Sequence, residues 1–317
     1  MKTAIIMGAH SSERVDYFIK LFENQTAKDF TLILVSEKEP EMAFDFDFVW
    51  IRELSRAFIP SIRKVRHPIF RNETLVAAVN EGVDYAITWD AYQVPHARLV
   101  EEHLKYLQKG YGVCGYRKEI QATYDEYVHG ETPMTLRDTS QEDVRNTGIV
   151  RFCPGNYKWD CNSSAPIEWY VKVNGWSLDY AGGTAGDDVD LGVRMERAGL
   201  RFVYNPNAIM WKTNHLAVKV RYAYQGSECN HPTLKFRSSP WDPATSGDDA
   251  LMEDEYLRCY YDRHGIKRWM CKHCGAEGLV DSVHVMRYNT EHGITRTDAG
   301  FEQVRAFLER GEQFSFV

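Results

Sequence analysis

The chain has 317 residues, with 38 Lys and Arg against 45 Asp and Glu, a formal charge of −7 with His neutral. At 44% hydrophobic and 26% charged residues its composition is globular, which excludes a disordered or fibrous chain. The opening apolar run, residues 4–7, is far shorter than the ~18 residues of a membrane span and lacks a signal-peptide layout, so a cytoplasmic location is expected; net acidity argues against a broad nucleic-acid-coating surface but leaves room for a local basic groove.

Residues 3–7 read as a buried strand, followed by a polar turn over 8–12 and a helix with Val15, Phe18, Ile19 and Phe22 on one face. Strands are expected at 30–35 and 48–51, a helix over 71–81 carrying Leu75, Val76 and Val79, and a strand over 85–89 that ends at Asp90. This alternation implies crossover connections, hence an α/β fold with a mainly parallel sheet flanked by helices. Ligands of such sheets sit beyond the carboxyl ends of the strands, after Met7, Val35 and Trp89. Residues 116–146 are polar and read as a long loop. A short helix over 166–174 ends at Gly175-Trp176, a second spans 187–198 with Gly199 as its stop, and a strand over 202–204 is closed by Pro206. From Leu216 the pattern reads as helical stretches, then a Pro/Ser/Asp-rich linker over 230–249. The expected division is 1–218 for the α/β domain and 219–317 for a small, mostly helical Cys/His-containing region.

Several motifs in this order carry a resemblance. Arg71-Asn72 opens a helix, a strand runs into Trp89-Asp90 with Pro95 five residues on, and Asn174-Gly175-Trp176 is followed by Gly186-Asp187-Asp188-Val189-Asp190-Leu191. Over residues 3–215 the chain resembles the GT-A glycosyltransferases, the family-two-like group with a galactosyltransferase-type C-terminal motif.

The resemblance implies a Rossmann-like GT-A domain that takes a nucleotide-sugar, with UDP as the expected nucleotide. Where the family holds a divalent cation by a D-x-D pair, this chain has Asp90-Ala91-Tyr92, and Tyr92 is no ordinary anionic ligand at neutral pH. Either Asp90 holds Mn2+ or Mg2+ with another group, His215 being the candidate, or metal dependence is weakened; the plain alternative is a strand-end turn residue. The matched positions for the inverting general base are Asp187 and Asp188, with Asp188 as the base, Asp187 as an acceptor contact and Asp190 structural. Acids in a first helical turn also favour the macrodipole, which is their ordinary role. Ala9 and His10 are expected under the nucleotide, with Glu37, or else Asp45 or Asp47, at its base; Arg71 is expected to neutralise phosphate. Gly183 and Trp176 are assigned to the acceptor, Trp176 either as a stacking platform or as core.

Seven cysteines, denser towards the end, do not form an extracellular disulfide pattern. Cys271-Lys272-His273-Cys274-Gly275 reads as a zinc knuckle, with Cys259 and His264 completing a structural Zn2+ site and His273, His284 or His292 as alternatives. The expected activity is sugar transfer to an acceptor hydroxyl with inversion, the acceptor being a glycan, a small molecule or a hydroxymethylated DNA base. Basic and aromatic residues at 219–224 and 267–269 supply the DNA reading. A non-catalytic sugar- or nucleotide-binding module on the same fold is the alternative, motivated by Tyr92.

Overall fold

The computed structural model describes residues 1–9, 15–53, 67–91, 93–120, 143, 145–180, 186–213, 257–261, 267–271, 277–279 and 300–310. Nine of its strands form one mixed sheet in the order β3-β2-β1-β4-β8-β6-β9-β5, with β7 also paired to β9. These strands are β1 (Thr3–Ala9), β2 (Thr31–Ser36), β3 (Asp47–Arg52), β4 (Tyr85–Asp90), β5 (Gln93–Pro95), β6 (Gly112–Ile120), β7 (Arg151–Cys153), β8 (Asn162–Pro166) and β9 (Phe202–Thr213). The helices are α1 (Val15–Lys20), α2 (His67–Asn80), α3 (Leu99–Leu107), α4 (Ile167–Lys172), α5 (Asp187–Arg197) and α6 (Phe301–Glu309).

Strands β1 to β4 are mutually parallel, Gly8 pairing with both Val35 and Asp90. Their carboxyl ends therefore share one edge, where Ala9, Ser36, Arg52 and Asp90 emerge. Strand β8 runs antiparallel to β4 and pairs its first residue, Asn162, with Trp89. The segment leading into β8 consequently arrives at the edge that carries Asp90.

Period-two alternation in β1 feeds two cores. Ala4 and Ile6 face one with residues of α2, α4, α5 and α6, while Ile5 and Met7 face the other with residues of α1 and α3. Helix α2 begins four residues earlier than its apolar pattern suggests, at His67, with Pro68 one position inside, where a missing N–H costs nothing. It lies close on β1: a Cβ on Gly8 would stand 2.1 Å from the Phe70 ring.

Two expectations are corrected. Pro206 does not close its strand; β9 continues to Thr213, and the register jumps from Gly115↔Asn205 to Tyr116↔Ile209, so residues 206–208 bulge out where no ladder N–H is required of Pro206. The polar stretch expected as a loop from residue 116 begins as the second half of β6. In the tail, the described residues include α6 and a three-stranded antiparallel sheet, β10 (Leu257–Tyr261), β11 (Lys267–Cys271) and β12 (Glu277–Leu279).

Helix α6 packs on α2 and on the turn after α4. Asn174 and Gly175 both adopt left-handed backbone, φ 58° and 61°, a conformation Asn tolerates and Gly prefers. This turn directs the Asn174 carbonyl to accept the Phe301 N–H at 2.9 Å, and its side-chain Oδ1 to accept the Glu302 N–H at 2.9 Å.

Candidate active site

Arg71, on the second turn of α2, points into the cleft at the carboxyl edge. Its Nη1 donates to Asp187 Oδ2 at 2.8 Å and forms an ion pair with Asp160 Oδ2 at 2.7 Å, and its Nη2 donates to Asp90 Oδ1 at 3.0 Å. One guanidinium thus gathers carboxylates from the end of β4, the start of α5 and the segment before β8, which the planar fork of Arg is shaped to do. Burial works against the Arg71 cation, but Asp160, Asp187, Asp90 and Asp188 outweigh it and raise its proton affinity. The guanidinium is 12% exposed and engaged by three acids.

The neighbouring residue has a different task. Asn72, fully buried on the same helix, donates through Nδ2 to the Trp176 carbonyl at 2.8 Å and accepts the Trp176 N–H on Oδ1 at 3.0 Å. Trp176 is 0% exposed, its ring lies 5.3 Å from that of Tyr170, and its indole N–H donates to Asp160 Oδ2 at 2.5 Å. It therefore presents no face for sugar stacking, and its role is to hold the floor of the site.

Asp160 is the residue that the sequence reading missed. It is 1% exposed, forms an ion pair with Arg71, and accepts from Trp176 and from the fully buried Lys158. Burial works against its charge, yet Arg71 and Lys158 prevail and hold its carboxyl below the usual range. The only trace in the sequence is Lys158-Trp159-Asp160, two opposite charges astride an aromatic just before a run of small residues.

Gly186 caps the start of helix α5, and its φ of 96° demands glycine. Its first turn carries Asp187, Asp188 and Asp190, and their environments diverge. Asp190 accepts from Arg194 Nε at 2.8 Å, while the other Arg194 nitrogens donate to the carbonyls of Val173 and Gly175 at 2.5 and 2.8 Å. Asp187 is tied to Arg71, and burial together with Asp160 and Asp90 raises its pKa against that pull. Asp188 is half-buried, with Oδ1 accepting the Val189 N–H at 2.8 Å and Oδ2 accepting the Asp160 N–H at 3.3 Å. Burial first, then the charges of Asp187 and Asp160, push its pKa up to about 7. A carboxylate with that proton affinity can take a proton at neutral pH and hold it. Asp90 is likewise raised, by burial and by Asp160, with Arg71 opposing.

Asp90 supplies one hard oxygen donor at the strand end, but among the described residues no group of three or more His, Cys, Asp and Glu is arranged to hold a metal ion. Tyr92 and His215 lie outside the described residues, as do His10 and Gly183. The residues described thus do not amount to a complete cation site.

No family model matches the chain, and no curated protein matches it in sequence. Among solved structures, S. aureus TarS overlaps 71% of this chain and 38% of its own, at 8% identity and a TM-score of 0.48. A structure of TarS 1-349 in complex with UDP overlaps 70% of this chain and 64% of its own, at 10% identity and 0.48. GalNAc-T7 with UDP, GalNAc and Mn2+ overlaps 67% of this chain and 44% of its own, at 7% identity and 0.48. The matched part thus spans less than two thirds of each of those chains. These overlaps are loose, and the chemistry rests on this chain's own residues.

The remaining assignments separate by edge. Glu37 stands exposed just beyond β2, on the same edge as Asp90, and Ala9 is buried at the end of β1. Asp47 pairs with Thr31 at the opposite edge, and Asp45 faces Lys28 at 3.4 Å. In the small sheet Cys259 pairs in register with Trp269 and Cys271 with Leu257. His264 and Cys274, the other half of the expected zinc set, lie outside the described residues. Among the described residues no helix is long and apolar enough to cross a membrane.

Proposed function

We propose that the chain is a nucleotide-sugar glycosyltransferase that uses a UDP-sugar and transfers the sugar to an acceptor hydroxyl with inversion. The observation that carries this reading is the convergence at one strand edge of a carboxylate poised near neutrality, Asp188, with an Arg71-tied pair, Asp187 and Asp90. Inverting transfer needs a base beside the acceptor hydroxyl. Asp188 is the base, taking the hydroxyl proton on its carboxylate as the acceptor oxygen forms its bond to the anomeric carbon and the bond to the diphosphate breaks. Asp187 accepts a second acceptor hydroxyl. Arg71 fixes the distance between the donor side, at Asp90, and the acceptor side, at the start of α5. TarS and GalNAc-T7 structures contain UDP, in keeping with the choice of nucleotide.

A divalent ion would neutralise charge on the diphosphate leaving group. Asp90 is proposed as one of its ligands, with His215 as a second. The acceptor is a glycan, a small molecule or a hydroxymethylated DNA base, and zinc in the tail is held by Cys259, His264, Cys271 and Cys274. Product analysis on each acceptor class and elemental analysis of chelator-free protein decide these two points.

The test of the reaction is UDP release over a panel of UDP-sugars, with and without Mn2+, in the wild type, Asp90→Asn and Asp188→Asn. Removing a general base costs ~10²–10⁴ in rate. Wild-type turnover with a loss of that size in Asp188→Asn supports the reading. Binding of UDP-sugars without turnover would favour a binding module instead, and unchanged turnover in both variants would refute the roles assigned.

A further inference from the structure

We propose that Lys158 and Asp160 form a positioning pair for the transfer step: Asp160 anchors Arg71 through its carboxylate and Asp188 through its backbone N–H, and Lys158 is the buried counter-cation that keeps Asp160 charged. The inference rests on the reading of Asp188 as the base.

Three observations carry it. First, Asp160 bridges the two halves of the site, with Arg71 on its side chain at 2.7 Å and Asp188 on its main chain at 3.3 Å. Second, the segment is pressed against α5 by design of the sequence. Gly155 and Gly192 face each other so closely that a Cβ on Gly192 would stand 2.1 Å from the Gly155 carbonyl, and 2.7 Å from the Cβ of Lys158. This contact, with the Gly155 N–H donating to Glu196 Oε2 at 2.9 Å, sets the height of residues 155–160 along the first turns of α5. Third, Lys158 is 0% exposed, ion-paired to Asp160, with its ammonium 5.5 and 5.4 Å from the ring centres of Tyr170 and Trp176.

A buried ion pair contributes little net stability, because desolvating both charges offsets their attraction, and apolar residues of similar volume are often as stable. The Asp190–Arg194 pair on the same helix has a clear structural task, since Arg194 also ties the carbonyls of Val173 and Gly175. Lys158 and Asp160 instead place one positive and one negative charge beside the base. The charged and titratable groups around Asp188 are Asp187 on its own helix, Asp160, Lys158 and Cys161 on the segment entering β8, and Arg71 on α2. Within this set Asp160 favours the protonated carboxyl and Lys158 the ionised one, so the pair sets the proton affinity of the base from both directions.

The test is the acid limb of kcat/KM for UDP release, with water as acceptor, from whichever UDP-sugar of the panel turns over. Asp160→Asn is expected to move the limb to lower pH and Lys158→Met to higher pH, each by ~1 unit. The charge-neutral Asp160→Asn/Lys158→Met double variant is expected to restore the limb while kcat stays reduced at least ~tenfold, because Arg71 has lost a carboxylate and the site its alignment. A merely structural pair would lower stability without moving the limb in opposite directions. A limb that stays put, or moves the same way in both single variants, overturns the inference; if neither single variant folds, a folded double variant with wild-type kcat overturns it and a reduced kcat supports it. If the wild type turns over no UDP-sugar, or if Asp188→Asn turns over normally, the reading of the site fails and the inference with it. Normal dependence on Asp188 with an unmoved limb removes the inference alone.

Discussion

At the scale of single residues, the cleft is a contest between carboxylates and one guanidinium. Asp90, Asp160 and Asp187 repel one another, and Arg71 holds them together through two nitrogens. Arg71→Lys keeps the charge but offers a point in place of a fork, so it cannot satisfy three acids arranged around a plane. Turnover of the variant should fall by ~10- to 100-fold while the fold survives, as steady-state kinetics and circular dichroism will register. Lysine working as well as arginine would mean that charge alone matters. Part of this site was legible in the sequence and part was not, for a physical reason. Asp90 ends a strand and Asp187 and Asp188 begin a helix, and the apolar period of each element announces that boundary. Asp160 stands in an irregular segment, and only the antiparallel return of β8 brings it beside Asp90. Trp176 was legible as an aromatic after Asn-Gly, but sequence pattern does not say which way a side chain turns, and here it turns inward to Asp160.

Elements are tied to one another by buried polar side chains. His103 on α3 is wholly buried between Ser164 Oγ at 2.7 Å and Asn162 Oδ1 at 2.9 Å. Asn162 spends its Nδ2 on the carbonyls of Tyr116 and Ala208, so its Oδ1 accepts and the imidazole proton lies on Nε2. The ring is neutral, and burial pushes its pKa down to about 4 despite the help of Asn162. The unfolded chain binds this proton near the ordinary value of 6.5 and the folded chain only near about 4, so stability is complete above 6.5 and falls as pH drops between the two. The loss amounts to ~3 kcal/mol. Denaturant unfolding at pH 7 and pH 4 should show a smaller drop in His103→Gln than in the wild type, and equal drops would contradict the assignment. The turn after α4 gives a second prediction. In Gly175→Ala the new Cβ would lie 2.1 Å from Asn72 Oδ1 at a φ of 61°, breaking the amide clamp on Trp176. A destabilisation of at least ~2 kcal/mol is expected, with the unfolding midpoint as its measure.

For the whole molecule, the parallel half of the sheet was readable because β1 to β4 are short apolar runs spaced by helices. Of the other half only the start of β9, residues 202–204, was readable, since β5 to β9 combine antiparallel returns, small polar residues such as Asn162, Ser163 and Ser164, and a proline-bearing bulge, none of which has a clean period. Helix α6 also contributes to the first core: Phe301 is fully buried, Val304 is buried beside it, and Leu308 packs against the same cluster. Phe301→Ala should therefore cost ~3–5 kcal/mol in denaturant unfolding, a cavity penalty that a loosely attached tail would not incur. Net charge is a poor guide to such a protein, because the −7 includes Asp90, Asp160, Asp187 and Asp188, which face inward on a single cleft. The most direct measurement of what that cleft does is the pH dependence of UDP release from a UDP-sugar in the wild type and in Asp188→Asn. The account predicts an acid limb near pH 7 in the wild type, following the raised pKa of Asp188, and turnover at least ~10²-fold lower in the variant across that range. A wild-type limb near pH 4, or a variant as active as the wild type, would contradict it.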